Sequence, residues 1–289
     1  MRPDIEGVFA EFDESLRVPA EERRRLTEVR DSVAAELGSV ASITRLVDVG
    51  SFQHGTEVRG YSRFDSLVVF SAKPTSLARA VELVTESLPE GLLAARQSPA
   101  GDSVLIDQPD SPGLRLIPAF EQRRAAPLSL ADSAGEIVLL PDAARRWVAV
   151  RPGARQRLID RLDEGSLRAS IRLLLAWKYR TGLGVSSYYL ETAAVRQTLD
   201  QPSFSPLWDI CWLFERLALD DLAALPDLSS PDQAGRVRAA PTLARRIEAQ
   251  YLVDRGANAA RAAVNAYIDE NFDAVGAHLR SVFGATFTG

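Results

Sequence analysis

The sequence predicts an α+β protein, with strands and helices mixed in its first half and helices almost alone in its second. Three observations carry this. Residues 41–52 (ASITRLVDVGSF) and 62–72 (SRFDSLVVFSA) are β-rich runs bounded by glycine or proline. After the helical spacing of 75–88, three more β-like runs follow: LLAARQS, SVLIDQP and GLRLIPAF. From about residue 155 onward the apolar residues recur at helical spacing. Strands interleaved with helices, then helices, point to a mixed-sheet lobe followed by a helical lobe. The boundary is drawn at residue 158, giving segments 1–158 and 159–289.

The first forty residues read as helical. Pro19 opens AEERRRLTEVRDSVAAEL, with acids in the first turn, apolar Leu26, Val29, Val33 and Leu37, and Gly38 as a stop. Pro109 to Gly113 is a turn between the last two β-like runs. Ser166 is placed to cap LRASIRLLLAWKYR, and Ser205-Pro206, with Asp209 in the first turn, opens LWDICWLFERLALDDL. A loop over 225–241 precedes helical stretches at 242–254 and 257–281.

Composition narrows the class. The 289 residues are 46% hydrophobic and 25% charged, ordinary for a globular protein. The opening residues, MRPDIEGVFAEFDESL, are acidic and lack the apolar run of a signal peptide. No stretch nears the roughly 18 apolar residues of a membrane span. A single cysteine, Cys211, excludes an intramolecular disulfide and reads as a buried thiol. The expectation is a cytoplasmic protein without membrane contact. A net charge of −5 sets no global field for nucleic acid, which leaves room for a local basic groove. The positive charge is almost all arginine; Lys73 and Lys178 are the only lysines.

Chemistry concentrates in residues 50–70. A strand ends in Gly50-Ser51, which suits phosphate: glycine lets the backbone approach, and the hydroxyl and nearby N–H groups donate. A turn through His54, Gly55 and Thr56 leads to a second strand carrying Arg63 and Asp65. By the period of two these share a face and can act on one ligand.

This stretch resembles the GS…GT…SDxD signature of the cyclic GMP-AMP synthase and DncV-like nucleotidyltransferases (CD-NTases), within the polymerase-β superfamily. Further elements match in order from about residue 45 to 240. Residues 114–120 (LRLIPAF) resemble the strand of the third acid, and Trp147 with Pro152 a Trp…Pro stretch. LLLAWK at 173–178 and SSYYLE at 186–191 resemble the Lys-Trp helix and the Ser-Ser helix after it. The resemblance implies a nucleotidyltransferase mixed-sheet lobe, a helical lobe, and a site in the cleft between them. It also implies that Lys178 and Ser187 contact a donor triphosphate, and it places relatives in second-messenger synthesis, often in anti-phage defence.

The match fails at the acids. The family's Asp-x-Asp is Arg63-Phe64-Asp65 here, and the third-acid position is Arg115. The family's chemistry uses two magnesium ions held by oxygen ligands. One carboxylate and two guanidiniums carry +1 where three carboxylates carry −3, and arginine cannot deprotonate. At an effective dielectric near 20 and about 4 Å, each unit-charge contact is worth roughly 4 kcal/mol, so each Asp-to-Arg change turns on the order of 8 kcal/mol against a bound cation. Guanidinium forks match phosphate oxygens instead.

The leading reading is therefore a degenerate nucleotidyltransferase that binds a nucleotide or oligonucleotide, or a protein partner, in place of catalysis, with no cofactor. Its phosphate contacts are Gly50, Ser51, Arg63, Arg115, Lys178 and Ser187, and Asp65 is a catalytic remnant. Two alternatives stand: an active enzyme with a non-standard magnesium site, and an interaction protein with a collapsed cleft. Blander assignments run alongside. Arg63 and Arg115 can form plain salt bridges, and Lys178 can snorkel from an apolar stripe. His54 is expected to be exposed, and Trp208, Trp212 and Phe214 to be core. The Arg-rich segments 145–157 and 236–246 are expected to be solvated. Metal rescue by Glu57, Asp107 or Asp110 is disfavoured, Asp107 and Asp110 because they flank a turn away from residue 65.

Overall fold

The computed structural model describes residues 4–88, 95–121, 137–142, 145–230 and 235–287. In chain order the elements are α1 (Ile5–Leu16), α2 (Ala20–Leu37), β1 (Ile43–Val49), α3 (Gly50–His54), β2 (Phe64–Phe70) and α4 (Leu77–Glu86). Then come β3 (Ala95–Gln97), β4 (Val104–Gln108), β5 (Ser111–Glu121), β6 (Val138–Pro141), β7 (Trp147–Val150) and α5 (Ala154–Leu162). The chain closes with α6 (Leu167–Thr181), α7 (Ser187–Asp200), α8 (Pro206–Leu219), β8 (Leu225–Pro226), β9 (Arg236–Val237), α9 (Leu243–Ile268) and α10 (Phe272–Phe283). The α+β class and the order of its parts follow the sequence expectation. The opening of the expected run at 92–98 lies outside the described residues, and its end is β3.

Two compact units form. One comprises Val18–Leu158 with Leu228–Gln233; the other comprises Met1–Arg17, Ile159–Asp227 and Ala234–Gly289. The N-terminal helix α1 thus counts with the helical unit.

The sheet unit is organised by strand alternation. Among the described residues its sheet has seven strands, ordered β1-β2-β5-β4-β3, with β6 pairing β5 and β7 pairing β6. The β2/β5 pair is parallel and the others antiparallel. Even-numbered Phe64, Val68, Phe70, Leu114, Leu116 and Phe120 point to one face, where Leu26, Val33 and Leu37 of α2 and Ala80, Val81 and Val84 of α4 cover them. Burying side chains of this size stabilises by about 1.5–3 kcal/mol each, which pins strand register. Odd-numbered Leu67, Val69, Ile117 and Ala119 form a smaller cluster on the opposite face with Val138. Asp65 and Arg115 belong by period to that second face.

The helical unit is stitched by a charge pair that the sequence gave no sign of. Arg172 of α6 is 4% exposed and is bonded to the equally buried Asp13 of α1. Arg17 donates to the other Asp13 oxygen at 2.9 Å. Phe9 and Phe12 of α1 meet Phe283 and Phe287 edge-on or tilted, with centroids 5.0–6.2 Å apart.

Local signals fared unevenly. Ser166 is the N-cap residue of α6 but its side chain makes no cap bond; Asp163 Oδ1 accepts from the N–H groups of Leu167 and Arg168 instead. Pro206 occupies the first turn of α8 as expected. Residues 242–254 and the first part of 257–281 are one helix, α9; the break comes at Glu270, with φ +57°, and the rest of the second stretch is α10. Gly256 does not interrupt α9, because a Cβ there would lie 2.6 Å from Phe214 Cε1: the ring occupies the space a side chain would need. The loop at 225–241 carries the short β8/β9 pair. Arg155 is buried, against the expectation that its segment is a solvated face. Phe214 and Cys211 are buried, while Trp208 and Trp212 are only half-buried.

Candidate functional site

Strand β1 ends at Val49, and Gly50 turns the chain into α3 with φ +74°. No other residue fits well. Positive φ disfavours a side chain, and a Cβ would stand 2.6 Å from Asp65 Oδ2. Gly50 therefore lies directly against the Asp65 carboxylate. Ser51 follows on α3, half-buried, and its carbonyl accepts from Thr56 N at 2.9 Å.

Strand register builds the rest. Val49 pairs with Asp65, Asp65 with Arg115, Arg115 with Leu105, and Leu105 with Arg96. These residues form one row across β1, β2, β5, β4 and β3, on a common face. Within the row Arg115 donates from Nε to Asp65 Oδ1 at 2.9 Å and from Nη2 to Oδ2 at 2.7 Å. This is the parallel two-point geometry in which guanidinium and carboxylate bind best. The Asp65 side chain is 14% exposed and that of Arg115 40%.

Arg63 does not lie in the strand, as the sequence reading had it; it immediately precedes β2. Its Nη2 donates to Asp107 Oδ1 at 2.7 Å. Arg96 Nε donates to the other oxygen of Asp107 at 2.7 Å. Asp107 sits where the β4/β5 register shifts, between Ile106 and Gln108, and such a bulge re-aims a side chain. The hydrogen bonds of Arg96 first, then of Arg63, hold the Asp107 carboxyl below its ordinary value of 3.8. Arg63, Arg96 and Arg115 set three positive charges against Asp65 and Asp107, a net +1 on this face.

The other predicted residues are placed as follows. Lys178, near the end of α6, donates from Nζ to Ser187 Oγ, the first residue of α7, at 2.5 Å. Its ammonium also lies 5.1 Å from the Tyr179 ring centroid. The structure thus brings Lys178 to Ser187 in the helical unit, and Gly50 and Arg115 to Asp65 in the sheet unit. His54, expected to be exposed, is buried at the end of α3. Glu57 is buried and ion-paired with Arg23, and Asp110 is exposed at the β4/β5 turn. Sequence reasoning left Arg96 out and gave Asp107 no part with Arg63. No local signal marks either, because strand pairing alone brings them together.

Two nearly full-length solved structures bind nucleotides in this architecture. CdnC of E. coli MS115-1, solved with ATP, matches with a TM-score of 0.71 and 16% identity over 98% of this chain and 99% of that chain. CdnG of Bradyrhizobium diazoefficiens, in complex with GTP, matches with a TM-score of 0.74 and 14% identity over 99% and 96%. The fold is that of the CD-NTases. Vibrio cholerae DncV in its apo form agrees, with a TM-score of 0.69 and 12% identity over 96% and 93%. At these identities the likeness establishes the fold and leaves the chemistry to the residues. No protein-family model matches the chain, and no curated protein matches it in sequence.

The described residues around Asp65 do not fit a divalent-metal centre. Both oxygens of Asp65 accept from Arg115. Among the described residues no group of three or more His, Cys, Asp or Glu could hold a metal ion. A cation at Asp65 would have to displace a permanently charged guanidinium and then face it.

Proposed function

We propose that this chain is a non-catalytic member of the CD-NTase fold that binds the phosphates of a nucleotide or oligonucleotide with arginine in place of metal. The observation that carries the reading is the two-point Arg115–Asp65 pair. It neutralises the remaining acid with a cation that cannot be chelated away or deprotonated. Arg115 keeps 40% of its side chain exposed while so bonded. Gly50 packs on the Asp65 carboxylate beside it, and Ser51 follows on α3. Within the helical unit, Lys178 bonded to Ser187 is a separate polar pair.

ATP and GTP accompany solved relatives of this fold, so a nucleotide is the ligand class first in line. A binder without transfer chemistry would sense, sequester or regulate a nucleotide signal, in an anti-phage defence setting. The test incubates purified protein with ATP, GTP, CTP and UTP and magnesium or manganese, and resolves products chromatographically. The reading expects no product above that of Asp65→Ala. A product that Asp65→Ala abolishes would refute it.

A further inference from the structure

The Arg63–Asp107–Arg96 cluster makes more sense as a closed clamp than as a structural brace. Its carboxylate is 34% exposed and bridges two guanidiniums, at 2.7 Å from Arg63 and 2.7 Å from Arg96. Arg63 Nη1, meanwhile, is buried and has no hydrogen-bond partner among the described residues. A buried donor left without an acceptor is unfavourable, so the carboxylate satisfies this cluster incompletely. It has two oxygens and one charge. A terminal phosphate has three oxygens and, near neutral pH, close to two charges. It matches the fork geometry of both arginines and has one more acceptor for Nη1.

We propose that Arg63 and Arg96 form a binding site for a terminal phosphate group and that Asp107 occupies it as a built-in competitor. The proposal rests on the nucleotide-binding reading above and adds Arg96 and Asp107 to it. Arg96 is 49% exposed, so the site is open from that side. The adjacent Asp65 is already neutralised by Arg115, and the local charge that an incoming anion meets is set by Asp107. Displacing Asp107 costs its bonds to both arginines, which lowers affinity for phosphate until the carboxylate yields. A phosphate on a nucleotide also gains whatever its base and sugar contribute; free tripolyphosphate does not.

The experiment is isothermal titration of the full chain, in EDTA, with inorganic tripolyphosphate and separately with ATP and GTP. The variants are Asp107→Asn, which keeps an acceptor but removes the charge, and Arg96→Gln. The proposal expects Asp107→Asn to bind tripolyphosphate about tenfold tighter than wild type, the worth of one charge-assisted hydrogen bond. It expects Arg96→Gln to weaken binding by a similar factor. Melting curves without ligand confirm that both variants fold, and Arg96→Gln at an exposed site gives a second reading if Asp107→Asn does not. If wild type binds a nucleotide and neither variant changes its affinity or that of tripolyphosphate, the clamp is structural and this inference fails, while the nucleotide reading stands. If nothing binds wild type or Asp107→Asn, both fail.

Discussion

Gly50 is packed so closely on Asp65 that the carboxylate fills the space a side chain would need, with Oδ2 2.6 Å from where a Cβ would be. The glycine and the acid are one structural unit, and whatever moves one moves the other. Gly50→Ala meets two penalties: a φ of +74° that L residues avoid, and displacement of Asp65 from Arg115. The left-handed conformation alone costs about 1–2 kcal/mol. Urea denaturation should show a loss of at least that size, and an unchanged midpoint would mean that the turn relaxes freely.

The Asp13–Arg172 pair predicts a larger effect. Both side chains are nearly excluded from water, at 6% and 4% exposure. Asp13→Ala leaves Arg172 buried without its anion and should cost about 3–5 kcal/mol in chemical denaturation. Replacing both, as Asp13→Leu with Arg172→Met, should recover most of that loss, because an apolar pair carries no desolvation penalty. If the double variant is no more stable than the single, the pair does more than fasten α1 to α6.

Asp107 sets a pH dependence. Its carboxyl is held below 3.8 by Arg96 and Arg63, so the folded state binds its proton less tightly than the unfolded chain does. That contribution is present in full above the ordinary value and is lost as pH falls through the lowered one. At a third exposed, the pair is worth about 0–1 kcal/mol. The stability gap between wild type and Asp107→Asn should therefore be small at pH 7 and close as pH drops below 4. A gap that grows in acid would contradict the assignment.

Cys211 is fully buried on α8, and burial, with Glu215 adding, pushes its thiol up to about 11. At pH 8 the folded protein should not react with a thiol-selective disulfide reagent, whereas protein in denaturant should release one equivalent. Prompt reaction of the native form would show that the α8 packing opens readily.

These sites were legible in the sequence to different depths. Alternation along 64–70 and 114–120 gave the strands and their faces, since apolar burial writes itself at a period of two. The Gly50-Ser51 turn could be read because its signal sits in contiguous residues. Apart from Asp65, expected to pair with one of Arg63 and Arg115 and bonded to Arg115, ion-pair partners were not legible. Arg63 and Asp107 are 44 positions apart, and Arg172 and Asp13 are 159. In a chain this rich in arginine, no local pattern says which acid each guanidinium meets. The division of 242–254 from 257–281 failed for a related reason: Gly256 between them makes room for Phe214, which lies on another helix.

The central claim is that arginines stand where divalent ions would. Its most direct test is calorimetric titration of wild type with ATP and GTP, once in EDTA and once in excess magnesium. The account predicts binding that is present in EDTA and not strengthened by magnesium, and that Arg115→Ala and Arg63→Ala each weaken about tenfold, the loss of one charge-assisted contact. Binding that appears only with magnesium, or heat that continues as turnover, would contradict it.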